Sequence, residues 1–380
     1  SQKLGGAVRA VRTDPGPGKL RVALVAASLN YVGGQSVQAD LLMKHWADDP
    51  DVWARFIPID PPFPPGLRWV RHVPGLRTMV RTPFYVAKLW SGLRDVDIAH
   101  IFSASYSSFF VAPLPAVLVA KLRGRKAVVH YHSGEARDHL RSSAVARWVL
   151  KRVHRVITPS GFLVDVFRRF GIEAEAIPNV VDFSRFVYRE RRHLRPHLVC
   201  TRGFHPYYCI DVVVKAFAMV QKEFPEAQLD LVGGGALEPE IRQLVSELEI
   251  SGVNFCGVAS RQEIGRYYDR ADIFINASRL DNMPVSVLEA YASGNPVITT
   301  APEGMRYVVE HERSGLLSEP GDPEALAANV VRVLRDPELA GRLVSGGLEQ
   351  LRQYRWDVVR EQWMRLYRGL VTADARARSA

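Results

Sequence analysis

Cysteine is scarce in this chain of 380 residues, which contains only Cys200, Cys209 and Cys256. An odd number of widely spaced cysteines argues against a disulfide framework and indicates a reducing compartment. We therefore expect the three thiols to act as small apolar groups in the protein interior.

Long hydrophobic runs are absent as well. The most apolar stretch, residues 109–120, has 12 residues and two prolines, whereas a membrane-spanning helix needs about 20 apolar residues. The N-terminal segment is polar, contains Gly and Pro, and lacks the apolar centre of a signal peptide. We expect residues 1–18 to form a flexible leader and the protein to be cytoplasmic.

The first half of the chain has few acidic residues relative to its basic ones. Residues 19–185 carry 23 Lys and Arg against 13 Asp and Glu, a net charge of +10, whereas residues 186–380 carry 24 against 26, a net charge of −2. Positive charge confined to one half indicates an anionic partner for that half.

Two stretches carry much of this positive charge. Residues 68–94 contain six basic and no acidic residues, interleaved with the aromatic residues Trp69, Phe84, Tyr85 and Trp90. Residues 137–155 form a second basic amphipathic stretch. Basic side chains mixed with aromatic ones suit the surface of an anionic membrane. Ordinary helices that pack their aromatic residues inward are the alternative interpretation. No motif indicates a nucleic-acid partner.

Short apolar runs alternate with helix-like segments, and the pattern starts again near residue 197. Nearly continuous apolar runs are typical of parallel strands that are buried on both faces. The sequence therefore predicts an α/β protein with two doubly wound, Rossmann-like domains that face each other across a cleft. We place these domains at residues 19–187 and 188–355, with a polar, Arg-rich joint at residues 188–197.

Residues 278–300, SRLDNMPVSVLEAYASGNPVITT, place two acids with seven residues between them, Asp281 in a loop and Glu289 in a helix. Pro284 fits the first turn of that helix, and Gly294 fits its end. The helix N-terminus and the N–H groups before it form a site suited to a diphosphate. The carboxylates can accept hydrogen bonds from sugar hydroxyls on either side of that diphosphate. The alternative is a helix cap followed by a solvated glutamate.

This stretch resembles the hallmark of glycosyltransferase family four, the retaining family with the GT-B fold, in which Glu-x7-Glu precedes EA-A-G-PV. Six further motifs match the family in the same order along almost the whole chain. They are GG at 33–34, TPS at 158–160, IPNVVD at 177–182, LDLVGGG at 229–235, VNFCGV at 253–258 and SGLLSEPGDPEALA at 314–327. The resemblance also implies a closing helix, residues 356–372, that crosses back to the first domain before a tail at 373–380.

The resemblance implies a bacterial-type, metal-independent hexosyltransferase that uses a UDP- or GDP-linked sugar and retains the anomeric configuration. Asp281 would contact the hexose, Arg202 would neutralise the departing diphosphate, and His132 would line the reaction centre. The residues expected to bind the donor are Gly33, Gly34, Ser160, Arg202, Tyr208, Gly233, Gly235, Asn282, Met283, Pro284, Val285 and Glu289. No cofactor besides the donor substrate is expected.

The acceptor would be a sugar or a lipid-linked sugar, in polysaccharide or glycolipid synthesis. The basic first domain would bring the enzyme to an anionic membrane surface, on the inner face of the plasma membrane. His130, His132 and His139 have no Cys or acidic ligand pattern beside them, so the sequence does not predict a metal site.

The chain departs from the family pattern at three positions. Tyr208 and Cys209 stand where the family has Lys-Gly, and a phenol offers one donor and no charge. Either a sub-family uses Tyr here, or diphosphate binding is weaker, or His205 or Arg279 assists. Asp281 is one methylene shorter than the family Glu. A glutamate at 303 replaces a glycine. We interpret these changes as variations within an active enzyme.

Three other functions fit parts of the pattern. A GT-B sugar-nucleotide epimerase would release free sugar from the donor without an acceptor. A phosphorylase would need inorganic phosphate and usually pyridoxal phosphate. A non-catalytic carbohydrate- or membrane-binding protein could keep the fold, and Tyr208 is the main residue in its favour.

Overall fold

The structure is a computed structural model that describes residues 18–28, 34–73 and 75–379. The chain packs as two compact units. Unit 1 ends at Val180 and resumes at Val359, and unit 2 comprises Val181–Val358. The first division lies a few residues before the predicted boundary at 187, and the second lies a few residues after 355.

Unit 1 contains, in its described residues, one six-stranded sheet. Its strands are β1 (Leu20–Ala26), β2 (Val52–Pro58), β3 (Ile98–Ser103), β4 (Lys126–Tyr131), β5 (Arg155–Thr158) and β6 (Glu175–Ala176). They run parallel in the order β2-β1-β3-β4-β5-β6. The sequence pattern does not single out β2, because this edge strand carries Arg55, whose guanidinium lies over the Trp53 ring.

Helices accompany these strands on both faces of the sheet. They are α1 (Gly34–Ala47), α2 (Leu76–Gly92), α3 (Ser107–Val111), α4 (Pro113–Leu122), α5 (Ala136–Ser142), α6 (Ala144–Leu150) and α7 (Gly161–Arg169), with α14 (Trp356–Ser379) at the end of the chain. A short 3-10 helix spans Pro65–His72.

One apolar core joins a face of this sheet to α2, α4, α5, α6 and α7. Tyr85 and Leu89, four residues apart, bring α2 into the core, and Val149 brings in α6. Strand residues such as Ala99 and Val129 complete the core from the sheet side. These helices therefore form one outer layer, and their remaining side chains point away from the sheet.

The last helix, α14, belongs to unit 1 from Val359 onward. The Arg360 guanidinium donates to Asp49 at 2.7 Å and to Asp51 at 2.6 Å. The Tyr367 hydroxyl lies 2.6 Å from Nδ1 of His100, and both residues are fully buried. Residues near the end of the chain thus complete the packing of its first unit.

Unit 2 contains a second six-stranded parallel sheet in its described residues. Its strands are β7 (His197–Cys200), β8 (Gln228–Val232), β9 (Val253–Gly257), β10 (Ile273–Asn276), β11 (Val297–Thr300) and β12 (Leu316–Ser318). Its helices are α8 (Ile210–Glu223), α9 (Glu238–Glu247), α10 (Ile264–Arg270), α11 (Val285–Ser293), α12 (Pro323–Arg335) and α13 (Pro337–Leu351). Single-turn 3-10 helices lie at Phe183–Arg185, Pro206–Tyr208, Met305–Tyr307 and Arg352–Tyr354.

The strand order of unit 2, β12-β11-β10-β7-β8-β9, has a topological switch point between β7 and β10. The chain leaves β7 toward one edge of the sheet and leaves β10 toward the other. Alternate residues of β7 enter cores on opposite faces, Leu198 on one side and Val199 on the other. In such sheets ligands bind beyond the carboxyl ends of the strands at the switch point.

The segment predicted as a polar joint between the domains is instead anchored in unit 2. Asp272, 1% exposed, accepts hydrogen bonds from Arg189 and Arg195 at 2.6 and 2.7 Å. The Arg191 side chain is buried as deeply and donates to backbone carbonyls, including that of Ala271 at 2.9 Å. The interpretation as a polar joint is wrong here, because Asp272 and buried carbonyls supply partners that composition does not reveal.

Candidate functional site

The switch point of unit 2 brings the predicted Arg202 and Asp281 together. Strands β7 and β10 pair in parallel, Leu198 with Ile273. Arg202 follows the first strand and Asp281 follows the second. Their side chains form an ion pair, and each is only 11% exposed. A pairing across 79 positions of sequence thus results from strand adjacency, and it places both groups at the edge where such sheets bind ligands.

Two contacts hold the Arg202 guanidinium in place besides Asp281. Its Nη2 donates to the Ser278 hydroxyl at 3.3 Å, and that hydroxyl donates in turn to Asn276 at 2.8 Å. The Tyr208 ring lies against the guanidinium, with 4.3 Å between the ring centroid and the Arg202 Cζ. Burial lowers the pKa of Arg202, yet a guanidinium stays protonated at neutral pH. The site therefore presents one buried, oriented cation.

The predicted glycines Gly233 and Gly235 lie against the backbone of the loop that carries Arg202. A side chain at Gly233 would collide with the backbone carbonyl of Arg202, and one at Gly235 would meet the carbonyl of Phe204. The loop after β8 can therefore lie directly against the loop after β7 only because it lacks side chains. Their observed role is to let the two loops pack.

Gly304 likewise allows close packing, here against the loop that carries Asp281. A side chain there would collide with the carbonyl of Asp281 and crowd Asn282. The adjacent departure at Glu303 leaves this close packing intact.

Helix α11 begins beside Asp281. Pro284 is its N-cap residue rather than part of its first turn, and the N-cap makes no side-chain hydrogen bond. Met283 is 8% exposed and belongs to a core cluster. The Ser286 hydroxyl, in the first turn, is buried and has no hydrogen-bond partner among the described residues. Gly294 ends the helix at φ 74°, as predicted.

Glu289 lies inside α11 and is largely withdrawn from solvent. The Tyr268 hydroxyl lies 2.8 Å from its Oε2, 3.1 Å from the Ser286 carbonyl and 2.6 Å from the Thr201 hydroxyl. Burial raises the pKa of Glu289 to about 7, although the Tyr268 hydrogen bond, Arg185 and Arg202 act in the opposite direction. The alternative of a helix cap followed by a solvated glutamate is therefore wrong, because Pro284 and not Asp281 is the N-cap residue, and Glu289 is largely withdrawn from solvent.

The sequence did not indicate Tyr268, Thr201 or Ser278 as site residues. Tyr268 lies on α10, and its hydroxyl reaches Glu289 across 21 residues of sequence. No motif marks it, because a buried tyrosine on an amphipathic helix looks like any core residue.

The backbone conformation at Cys209 explains why the family has a glycine at this position. Cys209 has φ 48° and ψ 53°, a left-handed conformation, immediately before α8. The family glycine at this position adopts such angles freely, whereas cysteine is strained there. Tyr208, one residue earlier, takes the place of the family lysine but stacks on Arg202.

The remaining predicted residues belong to unit 1 or lie outside the described residues. Gly33 lies outside the described residues, and Gly34 begins α1. Ser160 is the buried N-cap residue of α7. His132 follows β4, and its ring stacks on Phe102 with centroids 5.2 Å apart. Burial lowers the pKa of His132 to about 3, so the imidazole is neutral at pH 7.

Hydrogen bonds and ring contacts link the neighbouring histidines. The rings of His130 and His132 lie 4.1 Å apart, and Nδ1 of His130 is 3.0 Å from Nε2 of His100. His139 instead bonds the Tyr131 hydroxyl at 2.8 Å, on the opposite face of β4. Within the described part of the chain, no three His, Cys, Asp or Glu residues converge for a metal ion.

Comparison with known proteins assigns the family. The model described as Glycosyltransferase Family 4 matches residues 32–185, and the model described as Glycosyl transferases group 1 matches residues 195–336. The two matches cover β2 to β6 of unit 1 and all six strands of unit 2. The chain belongs to the group 1, family 4 glycosyltransferases, whose fold class is GT-B.

Individual relatives share about a quarter to a third of their residues with this chain over the matched segments. D-inositol 3-phosphate glycosyltransferase of Nocardioides sp. is 32% identical over 43% of this chain, and the match spans 39% of that protein. Phosphatidyl-myo-inositol mannosyltransferase of Mycobacterium leprae is 26% identical over 86% of this chain and 85% of that protein.

Two solved structures share the fold. Sucrose-phosphate synthase of Thermosynechococcus elongatus has a TM-score of 0.69 at 22% identity, covering 93% of this chain and all of that one. HepE of Anabaena in complex with UDP has a TM-score of 0.70 at 16% identity, covering 92% of this chain and all of that one.

Proposed function

We propose that the protein transfers a hexose from a nucleotide-diphosphate sugar to an acceptor hydroxyl, with retention at the anomeric carbon. The observation that carries the proposal is the buried Arg202–Asp281 pair beside the start of α11, at the switch point of the sheet in unit 2. An oriented cation, two carboxylates and a helix N-terminus match the groups of a nucleotide-sugar: a diphosphate between two hydroxyl-bearing rings.

Arg202 acts on the leaving group. Negative charge grows on the nucleoside diphosphate as the bond to the sugar breaks, and a fixed guanidinium stabilises that charge without reorganising. The contacts with Ser278 and Tyr208 keep the group in one orientation. In the free protein Asp281 neutralises the same cation, so donor binding redistributes the contacts of Arg202 between carboxylate and phosphate.

The two acids take different roles because their surroundings differ. Asp281 lies in the loop and accepts hydrogen bonds from hexose hydroxyls. Glu289 lies deeper, beside Tyr268, and accepts from ribose hydroxyls in its ionised form. Its raised pKa makes the second role dependent on pH near neutrality.

Tyr208 compensates in part for the missing lysine. It brings no charge to the diphosphate, but its ring restrains Arg202 by a cation–π contact. Arg202 is therefore expected to supply most of the charge stabilisation that the family shares between two cations.

His132, in unit 1, carries a neutral imidazole. A neutral ring can donate one hydrogen bond and accept another, which suits a hydroxyl group. No described side chain is assigned as a nucleophile. We propose front-face departure, in which the leaving diphosphate takes the acceptor proton. No metal is required for these steps.

The donor is proposed to be UDP- or GDP-linked. HepE, which shares the fold, was solved with UDP and with UDP-glucose, and that supports testing UDP first. The acceptor is proposed to be a saccharide or lipid-linked saccharide at the inner face of a membrane. The M. leprae relative, named for a phosphatidylinositol substrate, supports including lipid acceptors.

Calorimetry with UDP, GDP, ADP and their glucose and mannose conjugates tests the proposal. One nucleotide should bind clearly, and Arg202→Ala should weaken it while Arg266→Ala, an exposed arginine of the same unit, should not. Binding of none of them would overturn the proposal and favour a non-catalytic GT-B protein. Release of free sugar without any acceptor would favour an epimerase.

A further inference from the structure

Large apolar side chains are unevenly exposed on the two units. Among the described residues, twelve such side chains are exposed in unit 1 and seven in unit 2. Three of those in unit 1 are tryptophans, Trp69, Trp90 and Trp148, at 60%, 47% and 53% exposure. Scattered apolar residues are normal on a protein surface, whereas a contiguous set indicates an interaction site.

The exposed residues of α2 and α4 form two stripes. Met79 and Trp90, eleven residues or three turns apart on α2, are 74% and 47% exposed. Leu118 and Leu122, one turn apart on α4, are 46% and 75% exposed. Both helices present their other sides to the same core, so the stripes lie on the outer surface of one helical layer.

Contacts between the helices make the stripes continuous. Arg123, the C-cap residue of α4, lies over the Trp90 ring of α2, with 3.9 Å from Cζ to the ring centroid. A similar pairing is found at α6, where Arg152, two residues after the helix ends, lies over the Trp148 ring at 4.5 Å. At each of these positions an apolar tryptophan ring and an arginine cation lie side by side.

Three helices of this layer, α2, α4 and α6, carry no acidic residue, whereas α5 contains Asp138 and α7 contains Asp165. Exposed Arg77, Lys88 and Lys121 flank the stripes. A protein partner would need a matching acidic surface, whereas an anionic bilayer offers negative charge outside and hydrocarbon beneath.

We propose that this face, defined by Met79, Trp90, Leu118, Leu122 and Trp148, is a docking surface for an anionic lipid bilayer. The apolar side chains insert at the headgroup boundary, and the arginines over the tryptophans pair with lipid phosphates. The association is peripheral, since no helix among the described residues is long and apolar enough to span a membrane. The proposal rests on the proposed function and deepens it, because a lipid-linked acceptor is reached at such a surface.

Co-sedimentation with vesicles of equal parts phosphatidylglycerol and phosphatidylcholine tests the proposal. The protein should bind these vesicles, bind pure phosphatidylcholine vesicles at least about tenfold more weakly, and dissociate as salt is raised. The double variant Leu118→Ser with Leu122→Ser should lower partitioning by about tenfold or more, since two exposed leucines lose their insertion. Lys121→Glu should lower it by several-fold.

Matched changes on unit 2 serve as controls. Val187→Ser with Leu248→Ser removes two exposed apolar side chains, and Lys222→Glu reverses one exposed charge. Neither control should alter vesicle binding. Trp90→Phe should remove part of the fluorescence change that vesicles containing brominated lipid produce.

Several results would overturn this docking surface. They are no binding to anionic vesicles at low salt, equal losses in the leucine pair and its control, or a dimer in solution that the leucine pair dissociates. Nucleotide binding by unit 2, measured without vesicles, separates this outcome from failure of the proposed function. A protein that binds UDP but not vesicles loses only the docking surface.

Discussion

The two units share one architecture and use it differently. Each has a six-stranded parallel sheet with a switch point. Unit 2 withdraws two ion pairs from solvent: Arg202 with Asp281 at its switch point, and the nearly inaccessible Arg191 with Asp272. Unit 1 displays its charges on an outer helical layer, beside exposed tryptophans and leucines. The same scaffold can thus serve a small anionic ligand or a broad anionic surface, depending on where its cations are placed.

The largest expected effect comes from removing the buried cation of unit 2. Arg202→Ala should lower the rate of hexose transfer by about a thousandfold or more, because the leaving diphosphate loses its preorganised charge. Transfer is measured by release of the nucleoside diphosphate with a saccharide acceptor. Vesicle binding by unit 1 should not change. Arg266→Ala is the control, and near wild-type turnover in Arg202→Ala would contradict the assigned role.

A second prediction concerns Glu289 and pH. Its pKa is raised to about 7 by burial, so the folded protein holds a proton that the unfolded chain releases near pH 4.5. Its contribution to stability is complete at low pH and declines as pH rises through about 7. The Tm of the wild type relative to Glu289→Gln should therefore fall between pH 5 and pH 8.

Donor binding should show the opposite trend with pH. The ionised carboxylate accepts from ribose, so the affinity for the nucleotide should weaken by up to about tenfold per unit as pH falls below 7. Glu289→Gln should flatten this dependence, as followed by calorimetry. A steep dependence that persists in Glu289→Gln would assign it to another group.

A third prediction tests the stacking of Tyr208. Tyr208→Leu should weaken nucleotide binding by about threefold to tenfold, because a cation–π contact contributes about 0.5–1 kcal/mol at exposed sites and more when desolvated. Tyr208→Phe keeps the ring and should bind nearly as the wild type does. Tyr208→Lys restores the family cation and should bind more tightly, unless the loss of stacking disorders Arg202. Equal affinities for the Leu and Phe variants would show that the ring has no role.

The smallest expected effect is on stability alone. Cys209→Gly should raise the free energy of unfolding by about 1 kcal/mol, because the left-handed conformation disfavours a side chain. The loss of a buried thiol and the greater freedom of glycine in the unfolded chain reduce the gain. Urea unfolding measures it, and Cys200→Gly, within β7, should instead destabilise. A destabilised Cys209→Gly would mean that thiol packing outweighs backbone strain.

Much of the fold could be predicted from the pattern of apolar and polar residues in the sequence. Apolar runs separated by helical segments predicted parallel sheets, and the start of β1 at Leu20 and the end of α11 at Gly294 agree with the structure. Motif order identified the family and drew attention to Arg202 and Asp281. These features are local in sequence, so a single chain carries enough information to find them.

Features that depend on tertiary contacts could not be predicted. The arginines of residues 189–195 look solvated until Asp272 and the surrounding carbonyls are placed around them. Likewise Tyr268 gains its contact with Glu289 only when α10 and α11 pack together. Burial of Glu289 also depends on that packing, which is why sequence spacing could not distinguish a buried acid from a solvated one.

The docking of α14 on unit 1 bears on how the chain is made. Proteins are synthesised from the N-terminus, and domains generally fold as they emerge. Here Arg360 and Tyr367, which close over Asp49 and His100, are produced only after all of unit 2. Unit 1 begins to leave the ribosome first but is completed last, because His100 gains its Tyr367 partner only after Val181–Val358 has been translated.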